Sequence, residues 1–315
     1  MSCTNNRSRQ TKNDKHIQET VLYPVVNNKV NNNLNIFEIM KKPSNRLYLS
    51  SSHCQFDLFV NDVPLFRFWG RESESGMGMM TDNFLNPFIL TSGEHEIKVR
   101  IYPRFGQESL EFHSHFEMEI YVVDAATHNF DEKVVLLTMS TPERIHKDGI
   151  IENPLTGLPY FEMRTTVKLQ VPFELIGWRN SVDLRKENEE REIFQEVLQA
   201  YKEIYSMIKN RELDRLKTAL AERENILNTA FYLSEERKAQ EWQDFIDMIS
   251  CEEFELAPFP QDPILHFQGH GRMVVLLNHK REDIIRLVNR EDPMDQIILE
   301  FRFHRKEKGD KLTVI

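Results

Sequence analysis

Four polar side chains, His113, His115, Glu117 and Glu119, alternate along the chain with Phe112, Phe116, Met118 and Ile120. A period of two puts all four on one face of a strand, where His113, His115 and Glu119 offer two imidazoles and a carboxylate suited to Zn, Fe or Mn. The same alternation is also the ordinary pattern of an antiparallel sheet with one wet face, which needs no metal. A second set is His266-Phe267-Gln268-Gly269-His270-Gly271. With no helix pattern directly after it, it reads as a glycine turn between two strands and not as a phosphate cradle. A third is Gly76-Met77-Gly78-Met79-Met80. There glycine frees the backbone and methionine adapts to varied apolar surfaces, as a binding loop requires, while a plain hairpin connection would serve as well.

Other chemistry leaves no trace in the sequence. There is no nucleophile elbow, phosphate-binding lysine loop, dinucleotide fingerprint or paired-cysteine zinc motif, and no cofactor is implied. The three cysteines, Cys3, Cys54 and Cys251, are too far apart in sequence to form a ligand cluster. A formal net charge of −10 argues against nucleic acid as the main partner, because phosphate binding needs a clustered basic surface. The apolar runs are too short to cross a bilayer. Membrane contact is expected only through a lipid on Cys3, and an ordinary polar terminus in which Cys3 is incidental fits equally. The two readings place the chain in the cell envelope or in the cytoplasm.

The elements that must position these residues follow from rhythm. Alternation by two holds to about residue 180, a repeat near 3.6 takes over, and alternation returns near residue 263. Segregated strands and helices predict an α+β chain. We expect a disordered tether over 1–34, an antiparallel β-sandwich over 35–175 and an α+β domain over 176–315, in which three helices pack on an antiparallel sheet. Asn61-Asp62 should turn a hairpin between Cys54–Val60 and Val63–Trp69. The stripe Phe194, Val197, Leu198, Tyr201, Ile204, Tyr205 and Ile208 marks the first helix. A second starts near Arg211, and a third is capped by Ser234 and buries Trp242, Phe245, Ile246 and Ile249.

Three resemblances add to this reading. The segment from Leu85 to Pro103, with Ile97, Val99 and Ile101 on one face of a strand, resembles the N-terminal β-sandwich module of uncharacterised Bacteroidota proteins, many of them lipoproteins. That implies a compact sandwich over 35–175 but no chemistry. The His113-to-Glu119 pattern is similar to the first half of a cupin metal motif. It departs from that motif at Gly106, after Val123, and in lacking a second histidine motif, so a metal-dependent enzyme is the alternative function. The order of three helices and then strands is similar to the cone-like nuclear-transport-factor and cystatin folds. Together with the acidic balance and the absent catalytic signatures, these features lead to the expectation of a non-catalytic binding protein with a protein partner. Its sharper form is an immunity protein that neutralises an antibacterial toxin.

Overall fold

The computed structural model describes residues 22–29, 35–127, 129–145, 149, 151–187 and 189–315. Cys3, His128, His146 and the expected tether outside 22–29 lie beyond the described residues. The strands before the helices are β1 (Val25–Asn28), β2 (Pro43–Ser52), β3 (Cys54–Val60), β4 (Val63–Phe68), β5 (Met80–Phe84), β6 (Gly93–Pro103), β7 (His115–Asp124), β8 (Val134–Ser140), β9 (Arg144–Ile145), β10 (Ile151–Glu152) and β11 (Phe161–Leu169). Helices α1 (Glu190–Lys209), α2 (Leu213–Ala230) and α3 (Glu235–Ser250) follow. The chain closes with β12 (Phe254–Leu256), β13 (Ile264–Gln268), β14 (Met273–Leu277), β15 (Ile285–Asn289), β16 (Gln296–Leu299), β17 (Phe303–His304) and β18 (Thr313–Val314). The fold is therefore mixed, with strands dominating the N-terminal part and helices entering in the C-terminal part.

Two N-terminal sheets run in the orders β1-β8-β7-β2-β5 and β11-β6-β3-β4, and a short β10-β9 ladder sits apart. One apolar cluster draws on both sheets: Leu47, Leu49, Phe116, Met118 and Ile120 from the first, Phe56, Leu58, Val99, Ile101 and Met163 from the second. Burying each such side chain stabilises the fold by about 1.5–3 kcal/mol before the loss of chain entropy is counted. Within the stretch expected as a tether, β1 pairs with β8, Val25 opposite Ser140. Asn61 and Asp62 take positive φ, 51° and 64°, and close the β3–β4 hairpin as their residue types suggest.

Helix α1 buries Ile193, Val197, Tyr201, Ile204 and Ile208, residues three or four apart that form one stripe. Glu190 and Glu192 stand in its first turn, where the helix dipole favours negative charge. Helix α2 begins at Leu213, because Arg211 takes a positive φ of 55° that breaks the helical run. The Ser234 side chain accepts the Arg237 amide and caps α3, but of the side chains expected to be buried there only Ile249 is fully so. Trp242, Phe245 and Ile246 are half-buried, the first two packing against the core that α1 and α2 share with the C-terminal strands. The strands that follow lie in two ladders, β12-β15-β16 and β13-β14-β17-β18, bridged between Leu277 and Asp283.

The two parts share a seam. Val63 and Leu90 from the strands pack with Ile226, Met273 and Ile315 in one buried cluster. Polar groups lock it: the Tyr232 hydroxyl donates to the Pro43 carbonyl at 2.7 Å, and the Asn86 amide donates to the Ala230 carbonyl at 3.2 Å. Gly269 and His270, the turn between β13 and β14, donate their backbone N–H groups to Asp62, the former to its carbonyl and the latter to its carboxylate at 3.0 Å. The glycine turn thus grips a carboxylate belonging to the chain itself, while Lys98 neutralises the same group at 2.5 Å.

Candidate functional site

At one end of the N-terminal sheets a cavity of about 490 Å³ is lined from five connections between strands, β2–β3, β4–β5, β6–β7, β8–β9 and β10–β11. Its walls include His53, Gly76, Met77, Gly78, His113 and His115, so the imidazole pair and the glycine–methionine loop, far apart in sequence, meet at one place. Strand β7 begins only at His115; His113 lies in the turn before it and does not share a strand face with the other three residues. Glu119 is not part of the cavity. Four residues along a strand place it about 13 Å from His115, and there it binds Lys133 Nζ at 2.6 Å. Among the described residues no three His, Cys, Asp or Glu side chains are placed to hold a metal ion.

His53 is the member that sequence reasoning misses. It is the single residue between β2 and β3, where the chain leaves one sheet for the other, and its φ of 48° is unusual for any residue with a side chain. Its amide donates to the Gly76 carbonyl at 3.1 Å, and its ring stands 5.4 Å from that of His113. Nδ1 of His53 is buried without a hydrogen bond, 3.7 Å from Glu111. The Arg104 guanidinium, 2.5 Å from Glu111, holds that carboxyl below the usual carboxylate range. His115 Nδ1 hydrogen-bonds the Thr141 hydroxyl at 2.9 Å, and Glu117 and Glu143 flank the ring at 3.7 and 4.0 Å. Thr141 is itself almost wholly buried and serves to orient the ring.

The glycine–methionine loop is held firmly. It joins β4 of one sheet to β5 of the other, so it is a crossing and not a hairpin connection. Ser51 fastens it twice, by its amide to the Met79 carbonyl at 2.9 Å and by its hydroxyl, which accepts the Met79 amide at 3.0 Å. A β-carbon on Gly78 would stand 1.6 Å from the Ser51 carbonyl oxygen, so glycine is needed here for close approach more than for looseness. Met79 packs on the core, whereas Met77 and Met80 point outward with 77% and 68% of their surface exposed. Phe112, half exposed, completes the rim.

A second set of chemically suggestive residues lies elsewhere. Ser181 Oγ is 2.7 Å from His304 Nδ1, and His304 Nε2 is 3.3 Å from Glu222. The three come from positions too distant for any motif to announce them. Ser181 and His304 are buried, and the cavities described here are lined by none of the three, so the set ties the segment before α1 to α2 and the last sheet.

Comparison with known proteins decides nothing further. No family model, curated protein or solved structure matches this chain.

Proposed function

We propose that this is a non-catalytic binding protein that engages a protein partner through the loop-bearing end of its N-terminal sheets, which we read as a β-sandwich module. One observation carries the reading: Met77 and Phe112, both apolar and well exposed, flank a cavity on loops that are pinned by backbone and side-chain hydrogen bonds. Exposed apolar groups on rigid loops bind at low entropic cost, because little order remains to be imposed. The imidazoles and carboxylates around them supply hydrogen-bonding partners for the rim of such a contact. The specific form we favour is immunity against an antibacterial toxin.

The test is binding between the purified full chain and the toxin-class protein encoded beside its gene, read by calorimetry and by protection of growth. Met77→Asp with Phe112→Asp should weaken binding at least about 100-fold, as loss of a central apolar contact does. Melting temperature should stay constant, and Lys238→Asp on α3 should leave binding intact. A wild-type chain that binds no such neighbour removes the immunity reading; a double variant that binds normally removes the site.

A further inference from the structure

A cavity of about 270 Å³ opens at the seam between the strand and helix parts, remote from the loop-bearing end. Val63, Phe88, Trp178, Ile226 and Met273 wall it, and Phe84 and Phe231 stand at its mouth with their rings edge to face, 5.2 Å apart. The same two rings, with Arg223 and Leu227, also line an adjoining groove of about 610 Å³ along α2. Phe84 and Phe231 remain 42% and 38% exposed, so aromatic surface is left to water where the two spaces meet.

The charges at the inner cavity are already matched. Arg302 binds Glu300 at 3.1 Å, and Arg223 binds Glu224 at 2.7 Å. Of the five N–H donors of each guanidinium, the bonds described use two of Arg302's, to Gln268 and Glu300, and one of Arg223's. Apart from Arg223, Glu300 and Arg302 the side chains lining it are apolar, so the body of the space favours an apolar guest over water. We infer that the seam cavity is a binding site for an uncharged, largely apolar small molecule with one hydrogen-bond acceptor, its body against Ile226 and Met273 and its acceptor toward the two guanidiniums. A charged head is disfavoured, because each arginine already holds a carboxylate. A ligand there touches both parts and stiffens the seam.

The probes are straight-chain 1-alkanols from hexanol to dodecanol, titrated into the full chain while Trp178 fluorescence and melting temperature are followed, with Trp178→Phe reporting the signal of the other two tryptophans. Saturable binding is expected, tightening about fourfold per methylene until the cavity is full and then levelling. Decanoate should bind at least about tenfold more weakly than decanol. Leu227→Trp should abolish binding by filling the mouth, and Phe84→Ala, which trims a half-exposed ring, should weaken it about fivefold with the fold retained. A response that stays linear to the solubility limit, or is unchanged in Phe84→Ala, shows an imperfectly packed seam and overturns the site. Decanoate binding as tightly as decanol overturns the ligand class.

Discussion

The ring of His53 occupies the space that a side chain on Gly76 would need: a β-carbon there would lie 2.5 Å from His53 Cε1. This pairing, with Gly78 against the Ser51 carbonyl, fixes how closely the crossing loop sits on the strand end. Gly78→Ala meets backbone that cannot swing aside, and should cost about 2–4 kcal/mol in urea unfolding. Gly76→Ala meets a ring that can rotate, so its cost is set mainly by the φ of 79° and should be about 1–2 kcal/mol. Equal costs would mean that the loop is not seated as described.

Arg305 should be far less replaceable than a surface arginine. It is buried and binds Glu187, also buried, at 2.6 Å, as well as Glu196 on α1. Arg305→Ala leaves the Glu187 charge unpaired in a poor solvent and should cost about 3–5 kcal/mol. By contrast, Arg237→Ala, which removes an exposed pair within α3, should cost under about 0.5 kcal/mol. Denaturation midpoints of the two variants compare them directly.

Asp283 gives the fold a pH dependence of uncommon sign. Burial, aided by repulsion from Glu300, pushes its carboxyl up to about 6. In the window from about pH 4 to 6 the folded chain holds a proton that the unfolded chain has released, so stability falls as pH rises through it and is flat above. Asp283→Asn should remove that slope and stabilise the protein at pH 7 by about 1–3 kcal/mol. An asparagine variant less stable than wild type at pH 7 would contradict the assignment.

Three imidazoles work in the opposite direction. Burial holds His95, His266 and His304 below the ordinary histidine value, in His304 against the pull of Glu222. The unfolded chain takes up protons near pH 6.5 that the folded chain refuses, so these groups lower stability as pH drops below that point. For His95 the hydrogen bonds fix the tautomer: Nε2–H donates to the Thr91 carbonyl, and Nδ1 accepts from the Asn61 amide. The His95 and His304 rings, followed by their proton resonances, should therefore protonate at lower pH in the folded chain than imidazoles do in the urea-unfolded chain. A folded-state midpoint at or above the unfolded one for either ring would rule this out.

Periodicity reached the elements and missed the assembly. The hairpin turn at Asn61-Asp62, the cap at Ser234 and the stripe of α1 rest on local rules, so they were readable from neighbouring residues. Strand β3 alternates Cys54, Phe56, Leu58 and Val60 with Gln55, Asp57 and Phe59, yet all seven residues are buried, because sheet packing covers one side and partners such as Arg67 on Asp57 cover the other. The site shows the same division. His113, His115 and the glycine loop were legible as residue types, while His53, which joins them, carries no local signal beyond a conformation that sequence does not reveal. Glu119 satisfied the spacing but had a closer cation in Lys133, and only the pairing of β7 with β8 brings that lysine near.

Val63 and Leu90 have their apolar neighbours in Ile226, Met273 and Ile315, more than a hundred residues downstream. On the ribosome the early half therefore emerges with these two side chains covered only in part, by Phe88 and Leu175. A chain interrupted near residue 175 would keep that apolar spot open to water. The boundary that the rhythm of the sequence draws there separates two large apolar interiors, and a gene cut at that point would leave each with one raw patch at the seam.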